Sequence, residues 1–167
     1  MTGPLYITEC PSPVGQLLLA ASETRLHSIW FEDAWHAPTD GIRRDDLPLF
    51  HQVRHWLDRY FAGEKPDPAQ LPLAPRGTAF QTLVWDLLLE IPYGQAKTYG
   101  QLAREAASRL GKERMSPQAV GNAVGRNPIS IVVPCHRVLG AGGSLTGFSG
   151  GLDRKKFLLD LENIPCK

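Results

Sequence analysis

The chain has 167 residues, 43% of them hydrophobic and 21% charged, and its formal net charge at pH 7 is +1. These values are typical of a globular protein with a substantial apolar core, organised as one average domain or two small ones. No apolar run approaches the ~20 residues of a membrane span, and the first residues lack the regions of a signal peptide, so we expect a cytoplasmic protein.

Cysteine and histidine are too scattered in the sequence to indicate a metal site. Cys10, Cys135 and Cys166 are odd in number, widely spaced and without a CxxC pair, which favours free thiols in a reducing compartment over disulfides or zinc ligands. His51 and His55 lie four residues apart, but no third ligand is close in the sequence. A solvated helix face explains this pair better than a metal, and we expect no metal ion.

Charge is distributed unevenly between the two halves of the chain. Residues 1–76 contain 7 Lys and Arg against 10 Asp and Glu, whereas residues 77–167 contain 11 against 7. The basic second half permits a polyanion as partner, although two differently charged solvated surfaces would explain the same asymmetry.

The first third of the sequence predicts a small sheet followed by a helix. The runs "YITECPSPVGQLLLAAS" and "RLHSIWFE" flank a short polar turn at Ser22–Thr24, as in a β-hairpin. Phe50, Val53 and Leu57 then recur at helical spacing up to Gly63. Prolines crowd residues 66–75, which predicts an extended linker and divides the chain into domains 1–76 and 77–167.

The second half begins with a series of helices marked by capping residues. Thr78 is a plausible N-cap of the first, Thr98 with Gln101 forms a capping box for the second, and Ser116 with Pro117 starts the third. The third helix is built of Ala, Val and Gly, which weakens it by roughly 1 kcal/mol per glycine but lets its backbone approach another surface closely. The second and third helices of this series suggest a helix-turn-helix. The alternative is an αα-hairpin that only stabilises the fold.

A thiol, an imidazole and a guanidinium stand side by side after the third helix, in "ISIVVPCHRV". The run "ISIVV" predicts a short strand that Pro134 ends, so Cys135 would lie at a strand end. Cations next to a cysteine lower its pKa and favour the nucleophilic thiolate. His136 and Arg137 are adjacent in sequence, but neighbours on an extended chain point to opposite sides, so contact of Cys135 with His136 needs a tight turn or a bridging water.

Residues 140–151, "GAGGSLTGFSGG", form a glycine-rich loop that allows backbone N–H groups to reach a planar ligand, with Phe148 available to stack on it; a flexible surface loop is the alternative. The last helix is expected to start with Asp153 as its cap and to carry Glu162 near its end. The three cations at positions 154–156 oppose the helix dipole, which indicates either plain surface charge or contact with phosphate.

Taken together, these segments resemble one known family. "PCHRV", preceded by "NPISIV" and followed by "TGFSGG", closely resembles the O6-alkylguanine-DNA alkyltransferases, and "IPYGQAKTYGQLA" and "AVGNAVGRNP" are similar to that family's helix-turn-helix. The resemblance covers about residues 78–163. It implies a protein that binds double-stranded DNA through the minor groove, flips out a guanine alkylated on O6, and moves the alkyl group irreversibly to its own cysteine without a cofactor.

The resemblance also implies the roles of the catalytic residues. Cys135 is the nucleophile, His136 its base through a water molecule, and Glu162 the carboxylate that orients and charges the imidazole. Asn127 supports the hinge between the recognition helix and the active-site strand. Tyr99 helps to turn the nucleotide out and donates a hydrogen bond to the guanine.

For the bound base, the resemblance implies that the backbone carbonyls of Cys135 and Val138 read the exocyclic amine and that the backbone N–H of Ser149 reads O6. Phe148 replaces the tyrosine of many members, which keeps stacking and removes a hydroxyl. Ser130 stands where many relatives that accept benzyl groups carry proline, so we expect slow reaction with O6-benzylguanine.

The candidate DNA contacts are Gln118, Ala119, Asn122 and Arg126 on the third helix and Arg137 beside the nucleophile. Gln118 stands where the family usually carries an arginine that fills the gap left by the flipped base. Arg126, two turns further on, is the candidate to compensate.

We therefore expect an α/β N-terminal domain, with a small sheet flanked by a helix, and a mostly helical C-terminal domain with a winged-helix-like helix-turn-helix. The expected activity is that of a suicidal methylated-DNA–protein-cysteine methyltransferase, acting as a monomer in solution, with cooperative assembly on DNA left open. A non-catalytic sensor of alkylated DNA is the main alternative, and a cysteine hydrolase is a distant third. Relatives of the sensor type lack the cysteine, so Cys135 argues against that alternative.

Overall fold

The computed structural model describes residues 3–34, 38 and 40–167. The chain forms two compact units, one made of residues 1–76 with 128–132 and the other of residues 77–127 with 133–167. Residues 128–132, which the sequence places in the C-terminal domain, thus pack with the N-terminal unit. None of the described helices is long and apolar enough to cross a membrane.

The first unit is built on a sheet with the strand order β3-β2-β1-β4. Strands β1 (Tyr6–Cys10), β2 (Leu17–Ala21) and β3 (Leu26–Phe31) are antiparallel, and the short β4 (Ile42–Arg43) pairs in parallel with β1. The turn between β2 and β3 is closed by a hydrogen bond from Ser22 N to Arg25 O at 3.0 Å. The predicted hairpin is therefore confirmed.

Helix α1 (Pro48–Phe61) packs its apolar face in the same unit, with Phe50, Val53 and Leu57 fully buried. Apolar residues at this spacing form a single stripe along a helix, which is why the face can be covered by one side of the sheet. Residues 128–132 also join this unit. Ile129 pairs with Ile29 of β3, through hydrogen bonds from Ile29 N to Pro128 O and from Ser130 N to Ile29 O.

The second unit is mostly helical. Helices α2 (Ala79–Leu89), α3 (Tyr99–Arg109) and α4 (Pro117–Gly125) pack against one another, and the buried Trp85 indole donates to the Ala123 carbonyl at 2.9 Å. The predicted caps are confirmed. Thr78 and Thr98 each form a full capping box, and Ser116 accepts a hydrogen bond from Ala119 N. The predicted fold class, a sheet-plus-helix domain followed by a helical domain, is confirmed.

The remaining elements of the second unit frame the site. Strands β5 (Lys97–Thr98) and β6 (Val138–Leu139) pair in parallel, and α5 (Leu152–Leu161) follows the glycine-rich loop. Asp153 is not the cap of α5 as predicted, because the N-cap is Gly151, with φ of 92°, and Asp153 lies in the first turn.

The predicted strand "ISIVV" is wrong. Apart from the isolated bridge at Ile129, residues 129–133 form turns, and Ile131 has the left-handed φ of 73°. This conformation is unusual for a β-branched residue and is incompatible with a strand. Because every residue of the segment is buried, the apolar run reflects burial rather than extended pairing.

Candidate active site

A single helical turn points the side chains of the three adjacent residues in the "CHR" motif in different directions. Residues Cys135–Arg137 form a 3-10 turn, closed by hydrogen bonds from Arg137 N to Pro134 O and from Val138 N to Cys135 O. Successive side chains of a 3-10 helix point about 120° apart. Cys135 therefore faces one cavity, while His136 and Arg137 both reach Glu162.

Glu162, the C-cap of α5, is the centre of a buried hydrogen-bond network. His136 Nε2 lies 2.5 Å from Oε2, and the Arg137 guanidinium donates to Oε1 at 2.7 Å and to Oε2 at 3.2 Å. The backbone N–H of Gly94 donates to Oε1 at 3.1 Å. Glu162 is 2% exposed, and a carboxylate at that depth needs such partners to remain charged.

The ionisation states of this network follow from its contacts. Burial alone would raise the pKa of Glu162, but the hydrogen bonds from His136 and Arg137 and the charge of Arg137 hold it at about 2. Burial lowers the pKa of His136, against the opposing pull of Glu162. At neutral pH the carboxylate is thus ionised and the imidazole neutral. An ionised carboxylate only accepts hydrogen bonds, so the ring proton sits on Nε2 and the lone pair on Nδ1.

Cys135 is held as a thiol in the resting protein. Burial raises its pKa, and hydrogen bonding from Asn127 and the charge of Lys155 lower it only in part. The thiol becomes an effective nucleophile when a base removes its proton. The neutral imidazole of His136 has the chemistry that such a base requires, because Glu162 would stabilise the imidazolium that forms.

Asn127 links the end of α4 to the segment before the nucleophile. Its side-chain Nδ2 donates to the Val133 carbonyl at 2.8 Å, and its backbone N–H donates to Val124 O at 3.2 Å. The side chain is 1% exposed. One residue thereby fixes the distance between α4 and Cys135.

A cavity of about 150 Å³ opens onto Cys135. Its wall comes from α4, from the start of α3 and from the glycine-rich loop, through Tyr99, Gly121, Val124, Gly125, Cys135, Gly147, Phe148 and Ser149. Burial raises the pKa of Tyr99, so its hydroxyl keeps its proton and donates to the Gly147 carbonyl at 3.5 Å. The pocket thus joins a thiol, a hydroxyl donor and an aromatic ring in a largely apolar space.

Lys155 is the residue of this site that the sequence did not reveal. It is fully buried, and its Nζ donates to the carbonyls of Val138 at 2.5 Å, Thr146 at 2.7 Å and Gly147 at 3.1 Å. Burial lowers its pKa to about 8, which leaves it charged at pH 7. It therefore holds the loop beside Cys135, and the phosphate contact suggested for positions 154–156 does not apply to it.

The two carbonyls expected to read the base are already in use. Val138 O accepts from Lys155, and Cys135 O accepts from Val138 N. A carbonyl oxygen has two lone pairs, so each keeps one for a ligand. Val138 and Ser130 are not among the described residues that line the pocket. Ser130 is buried in the first unit, and within the described part of the chain its hydroxyl has no hydrogen-bond partner.

Helix α4 carries the predicted DNA contacts on its outer face. Gln118, Asn122 and Arg126 recur every four residues and are exposed, and Ala119 is half-buried between them. Gly121 on the same helix lines the pocket. Side chains four apart lie along one side of a helix, so this surface runs directly past the mouth of the cavity.

Arg137 does not belong with these DNA contacts. It is 7% exposed, it is ion-paired with Glu162, and its Nη1 donates to the Ile91 carbonyl at 2.7 Å. Its guanidinium also lies over the Tyr93 ring, 5.7 Å from the centroid. A side chain committed in this way cannot reach a phosphate, and we correct its assignment from DNA binding to support of Glu162.

Both halves of the chain match models of one family. Residues 5–75 match the ribonuclease-like domain of 6-O-methylguanine DNA methyltransferase, and residues 79–164 match its DNA-binding domain. A protein of Haemophilus influenzae named methylated-DNA–protein-cysteine methyltransferase is 48% identical over 96% of this chain and 88% of its own length. A protein of the same name from Methanosarcina mazei is 44% identical over 98% of this chain and its entire length.

Solved structures give the same result. The chain is similar to the Mycobacterium tuberculosis OGT in complex with DNA, with a TM-score of 0.81 and 39% identity over 94% of this chain and 92% of that one. It is also similar to the O6-methylguanine methyltransferase of the same organism, with a TM-score of 0.80 and 40% identity over 95% and 92%.

Proposed function

The chain belongs to the 6-O-methylguanine DNA methyltransferase family, and we propose that it repairs DNA by moving an alkyl group from O6 of guanine to Cys135 in one irreversible step. We rest this proposal on the geometry around Cys135, which opens onto a small cavity beside Tyr99. The neighbouring His136 is hydrogen-bonded to Glu162 and kept neutral by burial.

The reaction begins when His136 takes the thiol proton of Cys135, through a bridging water as the resemblance implies. The sulfur attacks the O6-bound carbon, an S–C bond forms, and the C–O6 bond breaks with its electrons passing to the guanine. An sp³ carbon requires a soft, strong nucleophile, which a thiolate provides. Glu162 stabilises the imidazolium. The imidazolium then releases the thiol proton to the bridging water as the guanine anion takes up a proton, so that His136 and the guanine both end neutral.

The departing guanine carries negative charge, so donors that face it lower the barrier. Tyr99 and Ser149 line the pocket, and the Tyr99 hydroxyl and the backbone N–H of Ser149 would supply such donors. The Cys135 and Val138 carbonyls would accept from the exocyclic amine, and Phe148 would stack on the ring. The product is a thioether, which none of these groups can hydrolyse, so one chain repairs one lesion and needs no cofactor.

The partner is double-stranded DNA that contains O6-alkylguanine. The base must leave the helix to enter a pocket of this kind, which costs a few kcal/mol of unstacking and unpairing. Gln118, Asn122 and Arg126 on the exposed face of α4 are the residues we assign to DNA. We expect the protein to be a monomer in the reducing cytoplasm, where its free thiols are stable. We also expect it to react more slowly with O6-benzylguanine than with methylated DNA.

A duplex oligonucleotide with one O6-methylguanine tests the proposal. With protein in excess, the modified base should be converted to guanine. With DNA in excess, conversion should stop at one lesion per chain. A non-catalytic sensor would bind the duplex without converting it, and continued turnover would indicate an enzyme of another kind; either result would refute the proposal.

A further inference from the structure

The last residues of the chain form main-chain hydrogen bonds with the glycine-rich loop. Lys167 N donates to Gly143 O, and Leu145 N donates to Lys167 O, both at 2.9 Å. Lys167 is thus hydrogen-bonded to the residues before and after Ser144, which is the pattern of a parallel β-bridge between Lys167 and Ser144. We call residues 164–167 the tail and residues 140–151 the pocket loop.

The tail is itself fixed to the catalytic end of α5. Asn163, directly after Glu162, turns the chain with φ of 59°, and Ile164 N donates to Leu159 O at 2.9 Å. The buried Ile164 packs with Leu139 and Leu159. Leu145 of the pocket loop and Cys166 of the tail pack against this cluster. The tail therefore has a fixed position relative to Glu162.

The pocket loop needs such support because it has few side chains of its own. Gly142, Gly143 and Gly147 all have positive φ, and Gly147 lines the pocket together with Phe148 and Ser149. Glycine loses more conformational freedom on ordering than any other residue. Lys155 holds the loop at Thr146 and Gly147, and the tail holds it at residues 143 and 145.

We propose that the main chain of the tail positions the pocket loop for base binding, with Lys167 as a positioning residue that acts through its N–H and carbonyl. This inference rests on the proposed function, because Phe148 and Ser149 of the loop are the groups assigned to the flipped base. Release of the tail lets the loop move away from Cys135 while the His136–Glu162 pair stays in place. Binding of the base should then weaken, and the chemical step should not change.

Proline at position 167 isolates the main-chain contribution, because proline has no N–H to donate. The side chain of Lys167 is exposed, so Lys167→Ala is the matched control that keeps both hydrogen bonds. Leu145→Pro removes the second bond, and its control Leu145→Ala removes only the side chain that packs on the apolar cluster.

The measurement is single-turnover transfer from O6-methylguanine duplex DNA as a function of concentration, which separates the half-saturating concentration from the maximal rate constant. We expect each proline variant to raise the half-saturating concentration about fivefold over its alanine control, the factor for one net hydrogen bond. The maximal rate constant and the alkylation of Cys135 by iodoacetamide should match those of the control. Amide exchange at Phe148 and Ser149 should be faster in the proline variants.

Equal half-saturating concentrations for proline and alanine variants would overturn the inference, as would a loss confined to the maximal rate constant. Unchanged exchange at Phe148 and Ser149 would overturn it as well. If the unmodified chain transfers no alkyl group at all, the proposed function fails. The exchange comparison still decides in that case whether the tail orders the loop.

Discussion

Arg137 and Glu162 form a buried two-pronged ion pair, with the guanidinium donating to both oxygens of the carboxylate that also accepts from His136. Fork-to-fork geometry of this kind fixes the plane of a carboxylate as well as its charge. The side chain next to His136 thus determines the orientation of the carboxylate that His136 contacts.

Removal of Arg137 should damage stability and reactivity rather than DNA binding. Arg137→Ala leaves Glu162 with an uncompensated buried charge, so we expect a loss of about 3–5 kcal/mol in the free energy of unfolding. Arg137→Lys should be intermediate, because an ammonium cannot bind both oxygens as a planar fork. Denaturant unfolding and alkylation of Cys135 by iodoacetamide measure the two effects.

Arg126→Ala is the contrasting variant. It should leave unfolding nearly unchanged, weaken DNA binding, and reduce the slope of log affinity against log salt by about 1. A fall in salt slope for folded Arg137→Ala equal to that for Arg126→Ala would return Arg137 to the DNA-binding set.

The charge relationship between His136 and Glu162 predicts a specific pH profile for the thiol. The His136 pKa lies below its ordinary 6.5 and the Cys135 pKa above its ordinary 9.0. Alkylation of Cys135 by iodoacetamide should therefore be level across neutral pH, fall below pH 6.5 as the imidazole protonates, and rise again above pH 9 as free thiolate appears. Glu162→Gln should lower the level region at least tenfold and leave the alkaline limb unchanged. An identical profile for the variant would assign Glu162 a purely structural part.

Glu162 should also make the fold sensitive to acid. Its pKa falls from an ordinary 4.5 to about 2 on folding. A depressed carboxyl pKa stabilises the fold above the unfolded value and loses that contribution as pH falls, so about 3 kcal/mol should disappear between pH 5 and 2. Denaturant titrations at several pH values measure this, with Glu162→Gln expected to show a shallower decline. Parallel declines would mean that other carboxylates cause the acid sensitivity.

Gln118 should limit repair of duplex DNA. Glutamine can hydrogen-bond to the orphaned partner base but lacks the stacking cation of arginine, so it offsets less of the cost of extrusion. Gln118→Arg should speed repair of O6-methylguanine in duplex DNA and change much less the reaction with a free alkylated base. An extrusion effect persists at higher ionic strength, whereas added phosphate attraction fades with salt. No acceleration at any salt concentration would show that Gln118 is not limiting.

The glycine at position 125 should lower the stability of the fold but leave room for DNA beside α4. A Cβ atom at this position would meet nothing within 4 Å, so alanine fits without strain. Gly125→Ala should stabilise the protein by about 0.5–1 kcal/mol through helix propensity and slow repair of duplex DNA, because Gly125 lines the pocket mouth. Gly100→Ala in α3 is the matched control, stabilising without slower repair. Unchanged repair by both variants would indicate that nothing approaches α4 at this point.

The sequence predicted the helix boundaries well because their signals are local. The capping boxes of Thr78 and Thr98 involve residues only three positions apart, so their chemistry is complete within the printed motif. The pairing of Glu162 with His136 came instead from resemblance to a family, since no local rule brings the two residues together across 26 positions.

Long-range contacts explain what the sequence could not predict. Lys155 resembles a surface cation in "DRKKF", and only its distant carbonyl partners in the pocket loop account for its burial. The segment "ISIVV" is apolar because it is buried, and its left-handed Ile131 has no signature in residue type. Arg137 was assigned to DNA for a similar reason. In the sequence, a basic residue beside a DNA-binding motif looks the same whether it contacts DNA or forms an internal ion pair.

The intact mass of the protein after incubation with O6-methylguanine DNA shows whether Cys135 accepts the alkyl group. We predict a gain of one CH₂ per chain, which peptide mapping should place on Cys135, with Cys10 and Cys166 unmodified and no gain in Cys135→Ser. An unchanged mass, or a methyl group on either of the other two cysteines, would contradict the account.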